Sequence, residues 1–280
     1  MRRATLATPL AAMLLIAGAF PSVAADESAV KTAVISSEMT QDIHVWAPAT
    51  QGSYPMIYAM HGTCDLCGGD WDVIGEALAA SGVVVFGVDY HGTDYQAGRY
   101  DRMTQELECG YRYAREVAAD YGVDLDQPVV FTGHSWGATM ALGGGLDDEM
   151  FVPGGTYQTC FEGAERPDAI VALAGCHYEY RGQHFGFDEA AYGHGDATTI
   201  LVGGEDDEEC EAWQSVDAAV ELAKTGRSAT SVVIPAANHF TPIGHDIVDG
   251  QWATVADHPA AAQFVQIILD AIEGARASGA

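Results

Sequence analysis

Short apolar or β-branched runs alternate along the chain with longer stretches of helical period. Ile43 to Ala47 and Met56 to Met60 read as strands, the second ending at His61-Gly62, and a helix follows around Trp71 to Ala80. Val83 to Val88 is apolar without alternation, the pattern of a strand buried on both faces of a parallel sheet. Next come a helix containing Cys109, a buried strand over Pro128 to Thr132, a helix from Ser135, and strands at Ala169 to Ala174 and Thr199 to Val202. A helix at Ala212 to Ala223, a strand at Ser231 to Ile234 and a helix at Ala260 to Ile272 close the series. This steady alternation predicts an α/β fold, a mostly parallel sheet with helices on both faces. Asp147 to Pro167 and His177 to Asp196 break the rhythm and are rich in Gly, Asp and aromatic residues. Both follow elements expected to end at or near the carboxyl edge of the sheet, where open α/β sheets bind ligands, so they are candidate walls of a cleft.

The N-terminus follows another pattern. Arg2 and Arg3 precede an apolar run from Ala11 to Phe20, and Val23-Ala24-Ala25 stands before Asp26. This is the layout of a secretory signal peptide cut after Ala25, leaving 26–280 as a single domain. The apolar run is shorter than the ~20 residues that span a bilayer. The full chain has 40 Asp and Glu against 12 Lys and Arg, a formal charge of −28. Losing Arg2 and Arg3 leaves 10 basic side chains against 40 acidic ones, or −30. No basic footprint remains to neutralise phosphates, which excludes nucleic-acid binding of that kind. Such a surface is expected to tolerate molar salt and to favour neutral over anionic substrates.

Six cysteines follow the cleavage point: Cys64, Cys67, Cys109, Cys160, Cys176 and Cys210. An even number in an exported chain predicts disulfides, with 15 connectivities open. Cys64 and Cys67 form a C-x-x-C, but the second such pair of a zinc ribbon is absent, so a structural metal is the weaker alternative. The helix around Cys109 gathers Met103, Leu107, Tyr111, Ala114 and Ala118 on one face, about 200° from the cysteine. Cys109 is therefore expected to point outward, where a loop cysteine can reach it.

The candidate chemistry centres on Gly133-His134-Ser135-Trp136-Gly137, which lies between the strand Val129 to Thr132 and the helical run Ala138 to Leu142. This is G-x-S-x-G in a strand, turn, helix context. A nucleophile raised on a tight turn needs small neighbours, so that strand and helix can close around it. Ser135 would also suit a helix N-cap, but the paired glycines and the buried strand before them favour the nucleophile.

On these residues the sequence resembles the α/β-hydrolase family over nearly the whole chain beyond residue 25. The resemblance implies a nucleophile, then an acid after a later strand, then a histidine after the last strand. Gly203-Gly204-Glu205-Asp206-Asp207 follows Ile200 to Val202, and Ala237-Asn238-His239-Phe240 follows Val232 to Ile234. The family's G-x-x-D arrangement places the acid at Asp207, with Asp206 the alternative. His239 is the expected base, with His245 its rival. In these roles His239 takes the proton of Ser135 and Asp207 fixes the imidazole. The amides of Trp136 and Thr63 are the expected oxyanion donors, and His61 a structural residue of that turn. The Trp136 side chain is either core packing or a surface against the acyl group. His177, His184 and His194, with Glu179 and Asp188, fit no metal-ligand spacing, and Tyr178, Tyr180, Phe185, Phe187 and Tyr192 among them suggest a cleft wall. No metal or cofactor is expected.

Within the family the chain resembles compact secreted serine esterases, the dienelactone-hydrolase-like and cutinase- or polyester-hydrolase-like members. The HG loop, the elbow, the Gly-Gly-Glu-Asp-Asp turn and the lack of room for a large cap domain carry that likeness. It departs at Trp136, where polyester hydrolases often have Met, and at Thr63, where they commonly have an aromatic residue. Ser135 also replaces the cysteine of dienelactone hydrolases proper and the aspartate of haloalkane dehalogenases. The resemblance implies hydrolysis of a carboxylic ester through an acyl-enzyme. The alternatives are a lipase, polyester hydrolase or peptidase with the same triad, or a non-catalytic binding protein that kept the fold.

Overall fold

The computed structural model describes residues 29–36, 42–97, 100–146, 165–180, 183–184, 197–248, 251–255 and 258–279. The strands are β1 (Val30–Ser36), β2 (Asp42–Pro48), β3 (Met56–Met60), β4 (Val84–Val88), β5 (Val129–His134) and β6 (Ala169–Leu173), then β7 (Glu179–Tyr180), β8 (Gln183–His184), β9 (Thr198–Gly204), β10 (Ala229–Ile234), β11 (His245–Val248) and β12 (Gln251–Thr254). The helices are α1 (Asp72–Ala80), α2 (Tyr100–Val117), α3 (Trp136–Leu146), α4 (Ala212–Lys224) and α5 (Pro259–Gly279).

Eight strands form one sheet in the order β1-β2-β4-β3-β5-β6-β9-β10. The pairings β1·β2 and β2·β4 are antiparallel and the rest are parallel, from Met56 opposite Val84 across to Ala229 opposite Thr199. This is the mostly parallel α/β sheet that the alternation predicts.

Side-chain alternation along the strands divides the core into two layers. Met56, Tyr58, Met60, Phe86 and Phe131 join Leu107 and Tyr111 of α2, Leu142 of α3 and Leu222 of α4 on one face. Ile57, Val85, Val130, Val171 and Val202 join Leu78 of α1 and Phe264 and Ile268 of α5 on the other. Each of these fully buried side chains contributes roughly 1.5–3 kcal/mol. Helix α3 is buried at nearly every position, which matches its Gly, Ala, Met and Leu content and its central place.

Two expectations change. β1 was not foreseen, because an edge strand paired on one side alternates exposed and half-buried residues and shows no continuous apolar run. Cys109 does not face solvent: it is buried, as are Thr104, Glu106 and Glu108, so α2 is covered on more than its apolar face. The predicted leader segment up to Ala25, together with Cys160, Asp188, His194, Phe185, Phe187, Tyr192 and most of the two irregular stretches, lies outside the described residues. Among the described residues no helix is long and apolar enough to cross a membrane.

Candidate active site

The strand order reverses at β3, which lies between β4 and β5, and the site forms at the carboxyl ends of β3 and β5. Ser135 immediately follows β5 with a left-handed φ of 58°. A non-glycine residue held there costs about 1–3 kcal/mol and persists only where its surroundings fix it. The flanking glycines explain how they do. A Cβ on Gly133 would run into the carbonyl of Gly137, and one on Gly137 into the carbonyls of Met60 and His61. The Ser135 N–H donates to Leu173 O (2.9 Å), and the Ala138 N–H donates to Ser135 O (3.0 Å). Ser135 does stand where an N-cap would, directly before α3; its φ and its partner set it apart from a simple cap.

That partner is His239, whose Nε2 lies 3.0 Å from Ser135 Oγ. Its Nδ1 lies 2.9 Å and 3.1 Å from the two carboxylate oxygens of Asp207. An ionised carboxylate only accepts, so Nδ1 carries the proton and Nε2 presents its lone pair to the serine hydroxyl. Asp207 Oδ1 also accepts the N–H groups of Glu209 (2.9 Å) and Cys210 (2.8 Å), which fix the orientation of the carboxylate. All three side chains are buried, which strengthens their mutual electrostatics. Asp206 is exposed, and His245 sets its Nε2 3.0 Å from Asp72 Oδ1 of α1. The structure therefore brings Asp207 and His239 to Ser135, and not their alternatives.

The turn bearing His239 is held by Asn238, which the sequence reading passed over. Its Oδ1 accepts from the N–H groups of Phe240 (3.0 Å) and Thr241 (3.1 Å), and its Nδ2 donates to Asp246 Oδ1 (2.6 Å). An Asn before a turn is an Asx-turn signal, and that signal was available.

The loop after β3 packs onto the elbow. A Cβ on Gly62 would come 3.1 Å from Ser135 Cβ and 3.6 Å from its Oγ. The next residue, half-buried Thr63, thus stands beside the nucleophile, as does Trp136, the first residue of α3. The Trp136 side chain is buried in the core.

His61 is a structural residue of this loop. It is buried, which pushes its pKa down to about 4, and it stacks on Tyr90 with ring centroids 3.9 Å apart. Its Nε2 accepts the Tyr90 N–H (3.2 Å) and its Nδ1 donates to Gly62 O (2.9 Å), while the Tyr90 hydroxyl donates to His61 O. His61, Cys64 and Cys67 offer ligand atoms within 4.8 Å of one another. The donor set does not suit a metal, because an Nε2 that accepts from a main-chain N–H requires the proton on Nδ1, the atom that would have to ligate.

Cys64 and Cys67 have Cα atoms 6.1 Å apart, and Cys176 and Cys210 4.7 Å, both within disulfide reach. His177 is buried and neutral, its pKa lowered by desolvation to about 3. Tyr178 packs near Trp213, centroids 5.5 Å apart, so the start of the second irregular stretch lies against the helix that follows Asp207.

No protein-family model and no curated protein matches the sequence. Solved structures do resemble the fold. A truncated carbohydrate esterase from gut microbiota is 15% identical with a TM-score of 0.63, covering 89% of this chain and 99% of its own. Carboxyl esterase 2 of the fungus Tuber melanosporum is 14% identical with a TM-score of 0.62, covering 89% and 87%. Esterase B of Lactobacillus rhamnosis, described with a tributyrin phosphonate, is 16% identical with a TM-score of 0.63, covering 90% and 87%. At such identities these likenesses show a shared fold, the α/β-hydrolase fold, and nothing finer. Any activity must be argued from the side chains.

Proposed function

We propose that the chain is an exported serine esterase that cleaves neutral carboxylic esters. The observation that carries this reading is the hydrogen-bonded series Asp207, His239, Ser135, with the serine on a left-handed turn between strand and helix. His239 Nε2 takes the hydroxyl proton as Ser135 Oγ attacks the ester carbonyl carbon, and Asp207 stabilises the resulting imidazolium. The amides of Thr63 and Trp136 donate to the developing oxyanion, each worth roughly 3 kcal/mol. His239 then protonates the departing alkoxide, leaving an acyl group on Ser135. Water attacks in the second half, with His239 again the base, releasing the acid. The esterases among the structural neighbours and the formal charge of −28, which repels anionic substrates, both support this choice. The leader pattern supports export, and export suits cysteines paired as disulfides.

An alkyl phosphonate ester with peptide mapping tests the reading. Stoichiometric labelling of Ser135, with parallel loss of hydrolysis of a short acyl ester, is the expected result. A folded sample that neither labels nor hydrolyses would leave only a binding protein of the same fold.

A further inference from the structure

We propose that His134, the residue before the nucleophile, is a positioning residue that holds His239 by its main chain. The inference rests on the triad reading above and adds a role for a side chain that the reaction itself does not use.

His134 is the last residue of β5 and is buried. Its Nε2 lies 2.6 Å from the carbonyl oxygen of His239. A carbonyl can only accept, so Nε2 must carry the proton and the ring must donate. Its ring centroid is 4.8 Å from that of His239. On the other side lies the loop after β3, where a Cβ on Gly62 would come 3.6 Å from His134 Nδ1. His134 thus fills the space between the loop carrying Thr63 and the turn carrying His239.

Consecutive strand residues normally point to opposite faces. Here the left-handed backbone at Ser135 redirects the chain, so that residues 134 and 135 engage one partner. Ser135 Oγ meets the ring of His239 at Nε2, and His134 meets its carbonyl oxygen. Without the second contact the ring is steered only by Asp207 and by the turn that Asn238 ties together locally. The arrangement needs a neutral His134, since a second cation against a forming imidazolium would oppose catalysis. Burial, with His239, His61 and His245 nearby, keeps its pKa well below the ordinary imidazole value.

The test compares His134→Gln, whose amide nitrogen reaches the place of Nε2, with His134→Phe and the shorter His134→Asn. Displacing a reacting group by about 1 Å costs on the order of a hundredfold in rate. For a short neutral ester, kcat is expected to fall about 10–100-fold in His134→Phe and His134→Asn, with KM changed less than about threefold. Phosphonylation of Ser135 should slow in proportion, and His134→Gln should recover to within about fivefold of the parent. Equal kcat in the Gln and Phe variants, or a folded His134→Phe within about threefold of the parent, overturns the proposal. If the substituted proteins do not fold, imidazole nitrogen NMR of the unaltered protein decides. A neutral Nε2–H tautomer with a slowly exchanging proton upholds the contact; an Nδ1–H tautomer or a freely exchanging ring overturns it. Absence of phosphonate labelling in the parent would instead sink the esterase reading, while the NMR would still report the hydrogen bond.

Discussion

The turn that carries Ser135 and the turn that carries His239 meet at the His239 ring, yet they are built by different means. The first is fixed by steric exclusion: backbone carbonyls occupy the places where side chains of residues 133 and 137 would stand. The second is fixed by polar contacts from Asn238, Asp207 and His134, two of them distant in sequence. Backbone exclusion tolerates almost no substitution. A polar network can lose a member, and the loss shows first in function.

The largest expected effect lies in the network. Asp207→Asn, which keeps the shape but reverses the hydrogen-bond sense at Nδ1, should lower kcat about 10⁴-fold with little change in stability. Exposed Asp206→Asn should stay within about twofold. Turnover of a short acyl ester, normalised to phosphonate-titrated sites, separates the two. On the steric side Gly137→Ala should reduce stability by about 3 kcal/mol or more, read from the urea midpoint, because rigid main chain surrounds the added methyl. Near-parental stability there would break the contrast.

Asn238→Ala is the intermediate case. It removes an acceptor from two main-chain N–H groups and should cost about 1–2 kcal/mol, with kcat down roughly tenfold as the turn loosens.

The smallest effect is one of pH. His61, His134 and His177 are buried with lowered pKa values, about 4 for the first and about 3 for the last. Below the ordinary imidazole pKa of about 6.5 the unfolded chain takes up protons that these folded-state rings refuse, so stability falls as pH drops. Glu108, raised by burial to about 7, works oppositely between roughly pH 4.5 and 7, where the folded state binds the extra proton, and offsets one histidine. Unfolding free energy should therefore decline from pH 6.5 to 5. His177→Phe should make that decline shallower by roughly 1 kcal/mol per pH unit, measured by urea titration.

The same contrast explains what was legible in the sequence. The central strands and the elbow are local patterns: Val83 to Val88 must be buried on both faces, and glycines at 133 and 137 state the packing around Ser135 directly. Asp207 and His239 were legible because each follows a strand within a few residues. β1 was not, since an edge strand carries half the apolar signal, and neither were the β11–β12 and β7–β8 hairpins, whose strands are short. Cys109 misled because helical periodicity describes a helix against one neighbour, while α2 is covered on more sides. The role of Asn238 and the contact of His134 with His239 depend on residues that only the folded chain brings together.

Cys176, just past β6, and Cys210, just past Asp207, sit with Cα atoms 4.7 Å apart. The Cys210 N–H also binds the Asp207 carboxylate. The acid is therefore referenced to the sheet edge and not to the chain between β6 and β9. Asp207 is thereby tied to the ends of two neighbouring parallel strands, β6 and β9, and moves only if they do.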